Sequence, residues 1–240
     1  MNTSHGQEYI LTLNNMGYMT RTCDHVQKAF INCAYAHPTE HFLDIGCAFG
    51  NTTTLIVSKG IHVSVCDLDG EHLETLVREV DPSHRPFITC YQGHFPRSFT
   101  PAPERFRGIL MSMVLHFLEP EYVDKAFESI FSSLKSGGTL FLTVSTPYQG
   151  LLKGFIPLYE ERKKRGYNFP GLIEDIGQYT KLRQKDLPKR NIVYCPDEVE
   201  EFCHKVGLQV EESGFFTRYR IPEDLKLDGR EYCYVVASKS

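Results

Sequence analysis

The stretch Phe42-Leu-Asp-Ile-Gly-Cys-Ala-Phe-Gly-Asn-Thr-Thr53 decides the fold class of this 240-residue chain. It is an apolar strand that runs into small residues at the start of a helix. Gly46 and Gly50 let the backbone turn sharply and approach a ligand, toward which the helix directs free N–H groups. The same glycines also suit a tight strand-to-helix turn without a ligand. A dinucleotide fingerprint is absent, because Ala48 and Asn51 stand where G-x-G-x-x-G has glycines.

Strand and helix patterns alternate around this stretch. Because helix-length segments separate the strands, we expect parallel pairing with right-handed crossovers. The last two strands are joined by a short polar connection, which favours an antiparallel pair. The sequence predicts an α/β fold, a Rossmann-like doubly wound seven-stranded sheet whose last strand is antiparallel. The predicted strands are 41–45, 62–66, 87–91, 108–113, 139–145, 208–220 and 232–238, and the predicted helices are 20–37, 52–59, 70–80, 121–134 and 196–205.

Four segments are predicted along the chain. A helical segment, 1–40, precedes a Rossmann-like core at 41–147. The alternation then stops for nearly fifty residues rich in Gly, Pro, Tyr and basic side chains, too many for a simple loop. We interpret 148–194 as an inserted lid with its own helices, and 195–240 as the completion of the core.

Composition limits the classes of function. The formal net charge of -4 argues against DNA binding. No apolar run approaches the roughly 18 residues of a membrane-spanning helix, and the first residues are polar, so we expect a soluble, cytoplasmic protein. Eight scattered cysteines indicate reduced thiols, and neither they nor the His and acidic residues cluster like metal ligands, so no metal is predicted.

The second predicted strand ends in Asp67-Leu-Asp69, 21 residues after Gly46. A carboxylate at this position can accept hydrogen bonds from the hydroxyls of a ribose, or it can cap the helix that begins near Gly70. We assign Asp67 to the ribose and Asp69 to the helix cap.

With these residues the chain resembles the class I S-adenosylmethionine-dependent methyltransferases. Their motif of an acid followed by x-G-x-G-x-G matches Asp44 to Gly50 with Ala48 as the middle position, and Leu134-Lys-Ser-Gly-Gly138 is similar to their "LKPGG" turn. Two departures are His94, where the family often has an acid for the adenine amino group, and Gly108, where many members have Asp. The resemblance implies S-adenosylmethionine as cofactor, held by Asp44, Gly46, Cys47, Gly50, Asp67, Leu68, His94, Phe95 and Met113.

The same resemblance implies methyl transfer to an oxygen or nitrogen atom. The cofactor's sulfonium already activates the methyl group, so the protein chiefly aligns the acceptor and excludes water. His116, after the fourth strand, is the candidate catalytic base, and a packing histidine is the equal alternative.

The acceptor is predicted to be a small molecule with a carboxylate or phosphate. The composition of the insert supports this prediction, because the segment between Tyr148 and Tyr194 contains ten basic residues and only five acidic ones. Tyr148, Tyr167 and Arg183 are the candidate substrate residues, although Glu160 to Arg165 fits a solvated helix face better. The alternatives are a protein or RNA methyltransferase that docks through the insert, and a cofactor-binding module without turnover. A homodimer stays open.

Overall fold

The computed structural model describes residues 8–182, 185 and 187–240. Its strands are β1 (Tyr9–Leu11), β2 (Tyr18–Thr20), β3 (Phe42–Ile45), β4 (Val63–Asp67), β5 (Ile88–Gln92), β6 (Phe106–Ser112), β7 (Leu134–Ser145), β8 (Leu172–Ile173), β9 (Asn191–Ile192), β10 (Gln209–Phe216) and β11 (Tyr232–Ser238). Its α-helices are α1 (His25–Ala36), α2 (Asn51–Val57), α3 (Gly70–Glu79), α4 (Pro120–Ser133), α5 (Ile156–Lys164) and α6 (Pro196–Lys205).

The central sheet has seven strands in the order β10-β11-β7-β6-β3-β4-β5. Strands β3 to β7 pair in parallel, and β11 is antiparallel to both of its neighbours. Since β11 is antiparallel to β7 and β10 is antiparallel to β11, β10 runs in the same direction as β7. The carboxyl ends of β3 to β7 and of β10 therefore lie at one edge, and the predicted sheet is confirmed.

Apolar side chains cover both faces of this sheet. Helices α1, α2 and α3 bury residues such as Phe30, Ile56 and Leu76 against one face. Helices α4 and α6 bury Phe127 and Val199 against the other. The result is the doubly wound arrangement that buries a parallel sheet on both sides.

The N-terminal segment differs from its prediction. Helix α1 begins only after Asp24, whose side chain accepts a hydrogen bond from the Gln27 backbone in a capping box. Strands β1 and β2 precede it as an antiparallel hairpin. Each of these strands has only three residues, too few for an alternating pattern to be recognised in the sequence.

The insert forms a small packed unit. Its buried side chains include Leu152, Phe155, Tyr159 and Ile176, and they form a cluster apart from the two sheet faces. Helix α5 and the two-residue pair β8–β9 are its regular elements. The eight cysteines are free thiols. Among the described residues, no helix is long and apolar enough to cross a membrane.

Candidate cofactor and acceptor site

A deep cavity lies at the carboxyl edge of the sheet. The ends of β3, β4, β5 and β6 form its floor, and the β1–β2 hairpin and parts of the insert form its walls. Most of the residues predicted to hold the cofactor line it, together with His116. They are Asp44, Gly46, Cys47, Asp67, Leu68, His94, Phe95 and Met113.

The glycine loop after β3 has a left-handed backbone at three positions. Gly46, Ala48 and Gly50 have φ of 72°, 47° and 71°. A Cβ at Gly46 would overlap the Val114 side chain, so the loop lies directly on the segment after β6. Gly50 does not line the cavity; it is the N-cap of α2, packed so closely on Leu76 that a Cβ would not fit.

Asp44 is buried beneath this loop. Its Oδ2 accepts a hydrogen bond of 2.8 Å from the Thr53 hydroxyl. Burial raises the pKa of Asp44 to about 7, against the opposite effect of the Thr53 bond, and the nearby Asp67 charge raises it further. Burial likewise raises the pKa of the Cys47 thiol well above its usual range, so Cys47 is a neutral lining group.

The Asp67 carboxylate lies at the end of β4 and is already held by the chain. Oδ2 accepts from the Ala48 backbone N–H at 2.8 Å, while Oδ1 accepts from the Asp69 backbone N–H and contacts His72 Nδ1, both at 3.0 Å. A carboxylate offers about four acceptor positions, so one remains, on Oδ2. Asp69 caps α3 by accepting from the Glu71 backbone N–H, as predicted.

His72 was missed by the sequence analysis. It is buried, and its Nε2 accepts a hydrogen bond of 3.0 Å from the backbone N–H of Leu13. Because Nε2 accepts, Nδ1 carries the proton and donates to Asp67. His72 therefore holds the carboxylate in place and joins it to the N-terminal hairpin. Its position in the first turns of α3, after Asp69, was the only clue in the sequence.

His94 and Phe95 follow β5 at the far end of the cavity. Phe95 is buried, and the imidazole Nδ1 of His94 is buried without a hydrogen-bond partner. Leu68 lies beside them in the lining with 46% of its surface exposed. An apolar surface with one free ring nitrogen is chemically suited to a purine base.

Met113 and His116 lie past the end of β6. Met113 has φ of 59°, unusual for a residue with a side chain, and its N–H donates to the Thr143 carbonyl. His116 is buried, and burial together with the Arg218 charge lowers its pKa to about 3. The imidazole is therefore neutral near pH 7.

Arg218 is a second residue that the sequence analysis missed. The prediction included it within a strand at 208–220, but β10 ends at Phe216 and Arg218 follows at the carboxyl edge. Its guanidinium is buried and forms an ion pair of 3.0 Å with Asp24. A basic residue just after a strand that ends at this edge was the available clue.

Four buried polar atoms that line the cavity have no hydrogen-bond partner. They are Tyr9 Oη, His94 Nδ1, His116 Nδ1 and Arg218 Nε. Four other unpaired buried atoms of the described residues, on Ser64, Ser129, Tyr194 and Glu231, lie outside the cavity lining. The four atoms that line the cavity are free to pair with a bound ligand. His94 lies at the β5 end, and the other three lie toward the β6, β7 and β11 side.

Two of the predicted substrate residues, Tyr148 and Tyr167, do not line this cavity. Tyr148 is buried in the insert, where its hydroxyl donates to Glu160 and the Arg230 guanidinium lies 3.7 Å from its ring. Tyr167 is half-exposed beside Arg165. Arg183 lies outside the described residues. The insert contributes Gln149, Leu151 and Leu187 instead.

Comparisons with known proteins agree with this geometry. Residues 42–138 match a family described as a methyltransferase domain. Carboxy-S-adenosyl-L-methionine synthase of Aeromonas hydrophila is 24% identical over 119 residues, 45% of this chain and 45% of that protein. The chain thus spans less than half the length of this curated relative.

Solved structures share the fold. An S-adenosylmethionine-dependent methyltransferase from Mesorhizobium loti has a TM-score of 0.63 at 16% identity, over 89% of this chain and 98% of its own. A geranyl diphosphate methyltransferase in complex with GPP and sinefungin has a TM-score of 0.62 at 10% identity, over 89% of this chain and 76% of its own.

The family match covers the glycine loop and Asp67, and the solved structures repeat the sheet. Residues 42–138 therefore match a methyltransferase domain, and the chain shares the fold of solved S-adenosylmethionine-dependent methyltransferases; both findings agree with the sequence resemblance. One solved structure with this fold, the glycopeptide N-methyltransferase MtfA, is in complex with S-adenosyl-L-homocysteine, with a TM-score of 0.57 at 14% identity over 89% of this chain and 87% of its own.

Proposed function

We propose that this protein transfers the methyl group of S-adenosylmethionine to an oxygen or nitrogen atom of a small anionic molecule. One observation carries the proposal. A single cavity at the carboxyl edge of the sheet contains both the cofactor motifs and, at its other end, three unpartnered buried polar atoms, one of which belongs to an arginine. Two ligands side by side would account for both ends.

The residues present fit S-adenosylmethionine. Asp67 retains an acceptor position on Oδ2 for a ribose hydroxyl, and His94 Nδ1 is free to pair with a polar atom of the base. Phe95 and Leu68 would cover the faces of the base, and Gly46, Cys47 and Asp44 would adjoin the methionine portion. When bound, the cofactor supplies a methyl group on a positively charged sulfur, already activated for transfer.

The acceptor end supports a small substrate. The β1–β2 hairpin contributes Tyr9, Met16 and Tyr18 to the cavity wall, and its Leu13 N–H is fixed to His72. Apolar side chains such as Leu151 and Leu225 complete the wall. Such a concave, mostly apolar space with a few polar groups is typical of sites for small molecules. It disfavours the alternative of a protein or RNA acceptor docked on the insert.

His116 would orient the acceptor. Its imidazole is neutral because its pKa is low, so it can accept a hydrogen bond from an acceptor hydroxyl or amine and align the lone pair of that group. A group with a pKa of about 3 binds a full proton weakly at pH 7. Burial therefore favours alignment over net proton uptake for His116, and the walls around it exclude water.

The proposal is tested by following S-adenosylhomocysteine formation with a panel of hydroxy and amino acids, each paired with its uncharged amide. We expect some acids, and not their amides, to raise the rate above that without acceptor. Rate increases only with protein or RNA fractions would overturn the small-molecule part. Cofactor binding without slow turnover under any condition would favour a binding module instead.

A further inference from the structure

Arg218 is held at the acceptor end by the architecture of the sheet. Strand β10 runs parallel to β7, so the two residues after its end bring Arg218 to the edge where β3 to β7 end. Only 6% of its side chain is exposed, and its guanidinium carbon lies 4.9 Å from the centre of the Tyr232 ring. A buried arginine beside an apolar cavity requires an electrostatic reason.

The contacts of Arg218 within the chain use only part of its guanidinium. Nη2 donates to Asp24 Oδ2 at 3.0 Å, with contacts of 3.5 Å to the hydroxyls of Ser112 and Thr143. Nε is buried and has no partner. Since a guanidinium has five N–H donors in a planar fork, the ion pair with Asp24 leaves donors for a second anion.

Two neighbouring groups face the same cavity. His116 Nδ1 is buried without a hydrogen-bond partner, and the buried Tyr9 hydroxyl makes no hydrogen bond of normal geometry, although Tyr232 is close enough to raise its pKa. The Arg218 charge acts on both groups, because it lowers the pKa of His116 and opposes the rise that burial causes in the pKa of Tyr9. A contact that served only to fasten Asp24 would not require these additional donors and acceptors to face the cavity.

We propose that Arg218 binds a carboxylate group of the methyl acceptor, with the Tyr9 hydroxyl as a second donor. This inference rests on the proposed function, and it specifies a carboxylate, rather than a phosphate, as the anionic group of the acceptor. A single arginine that already shares its charge with Asp24 suits a monoanion, whereas a phosphate near -2 would need further cations. The carboxylate would compete with Asp24, so Arg218 would select for charge and Asp24 would moderate the affinity.

The test uses benzoate and its uncharged isostere benzamide as probes, titrated calorimetrically into the full chain with and without S-adenosylhomocysteine. The variants are Arg218→Gln, Arg218→Lys and Asp24→Asn, and the last keeps a good helix cap. Arg220→Gln is the matched control. Arg220 lies two residues after Arg218, is exposed and stacks on the Tyr219 ring. Thermal melting checks that each variant is folded.

We expect the wild type to prefer benzoate over benzamide by about tenfold, the scale of a charged hydrogen bond. Arg218→Gln should lose the preference, Arg218→Lys should keep part of it, Arg220→Gln should keep it all, and Asp24→Asn should increase benzoate affinity several-fold. No preference in the wild type, or an equal one in Arg218→Gln, overturns the inference. Failure of S-adenosylhomocysteine to bind would instead contradict the proposed function. The benzoate titrations without S-adenosylhomocysteine do not depend on cofactor binding, so the two failures can be told apart.

Discussion

The two ends of the cavity are built differently. At the cofactor end, the Asp67 carboxylate is held by three contacts to Ala48, Asp69 and His72, all within 20 residues of it. At the acceptor end, Tyr9, His116 and Arg218 come from distant parts of the chain, and each leaves a buried polar atom without a partner. Contacts within the chain organise the Asp67 end, while we propose that a ligand completes the end that holds Tyr9, His116 and Arg218.

The largest effect on the cofactor end is expected at the glycine loop. Gly46→Ala should destabilise the fold by about 3 kcal/mol, because left-handed strain adds to overlap with Val114. It should also abolish cofactor binding. Gly166→Ala is the matched control: its φ is also 72°, but a Cβ there meets nothing within 4 Å, so a loss of about 1 kcal/mol is expected. Urea unfolding measures both, and equal losses would show that Gly46 is not in close contact.

The stability contributions of Asp44, at the cofactor end of the cavity, and His116, at the acceptor end, change in opposite directions with pH. His116 has a folded pKa of about 3, below its ordinary 6.5, so its contribution to stability is lost as pH falls from 6.5 toward 3. Asp44 has a folded pKa of about 7, above 3.8, so its contribution is lost as pH rises from 3.8 through 7. In the wild type the two slopes oppose each other.

Single variants separate these slopes. Relative to the wild type, His116→Asn should gain about 2 kcal/mol in free energy of unfolding as pH falls from 6.5 to 4.5. Asp44→Asn should gain a similar amount as pH rises over the same interval. Urea unfolding at several pH values measures both differences. Parallel curves for a variant and the wild type would contradict the shifted pKa at that position.

His72 links the hairpin to the cofactor end, so its removal should weaken cofactor binding without abolishing it. His72→Leu should lower S-adenosylhomocysteine affinity about tenfold, because Asp67 loses one orienting hydrogen bond. His204→Leu, at an exposed position in α6, is the control and should bind normally. Unchanged binding in His72→Leu would mean that Asp67 needs no support.

The smallest effect is expected on the insert surface. Arg165 and Glu161 form an exposed i,i+4 ion pair of 3.2 Å. Arg165→Gln should change the free energy of unfolding by about 0.3 kcal/mol and leave benzoate and cofactor affinities unchanged. A large loss of benzoate affinity would return the anion site to the insert and contradict its placement at Arg218.

The sequence was informative where function follows the end of one strand. Asp67, His94 and His116 were predicted at this edge, and they line the cavity, because each follows a predicted strand whose carboxyl end lies at the same edge; their roles stay predictions. Asp69 was correctly separated from Asp67 because a helix cap has its own local pattern. All seven strands of the sheet were predicted for the same reason, since alternation and turns are local, although the strand that corresponds to β10 was predicted too long.

The acceptor end could not be predicted in this way. The approach of residues 9, 116 and 218 depends on the tertiary packing of the hairpin and of β10, which leaves no periodic pattern in the sequence. The basic surplus of the insert directed attention to Tyr148 and Tyr167, but several of its cations form ion pairs with acidic residues, such as Lys163 with Asp197 in α6 and Arg190 with Glu174. Net charge of a segment does not show where a buried charge lies.

The most direct test is calorimetric titration of S-adenosylhomocysteine into the wild type, Asp67→Ala and Asp69→Asn. Asp69→Asn keeps a side chain that caps α3, so it controls for the neighbouring carboxylate. We predict micromolar binding to the wild type and to Asp69→Asn, and at least about tenfold weaker binding to a folded Asp67→Ala. Equal affinity of the wild type and Asp67→Ala, or no binding to the folded wild type, would contradict the cofactor site.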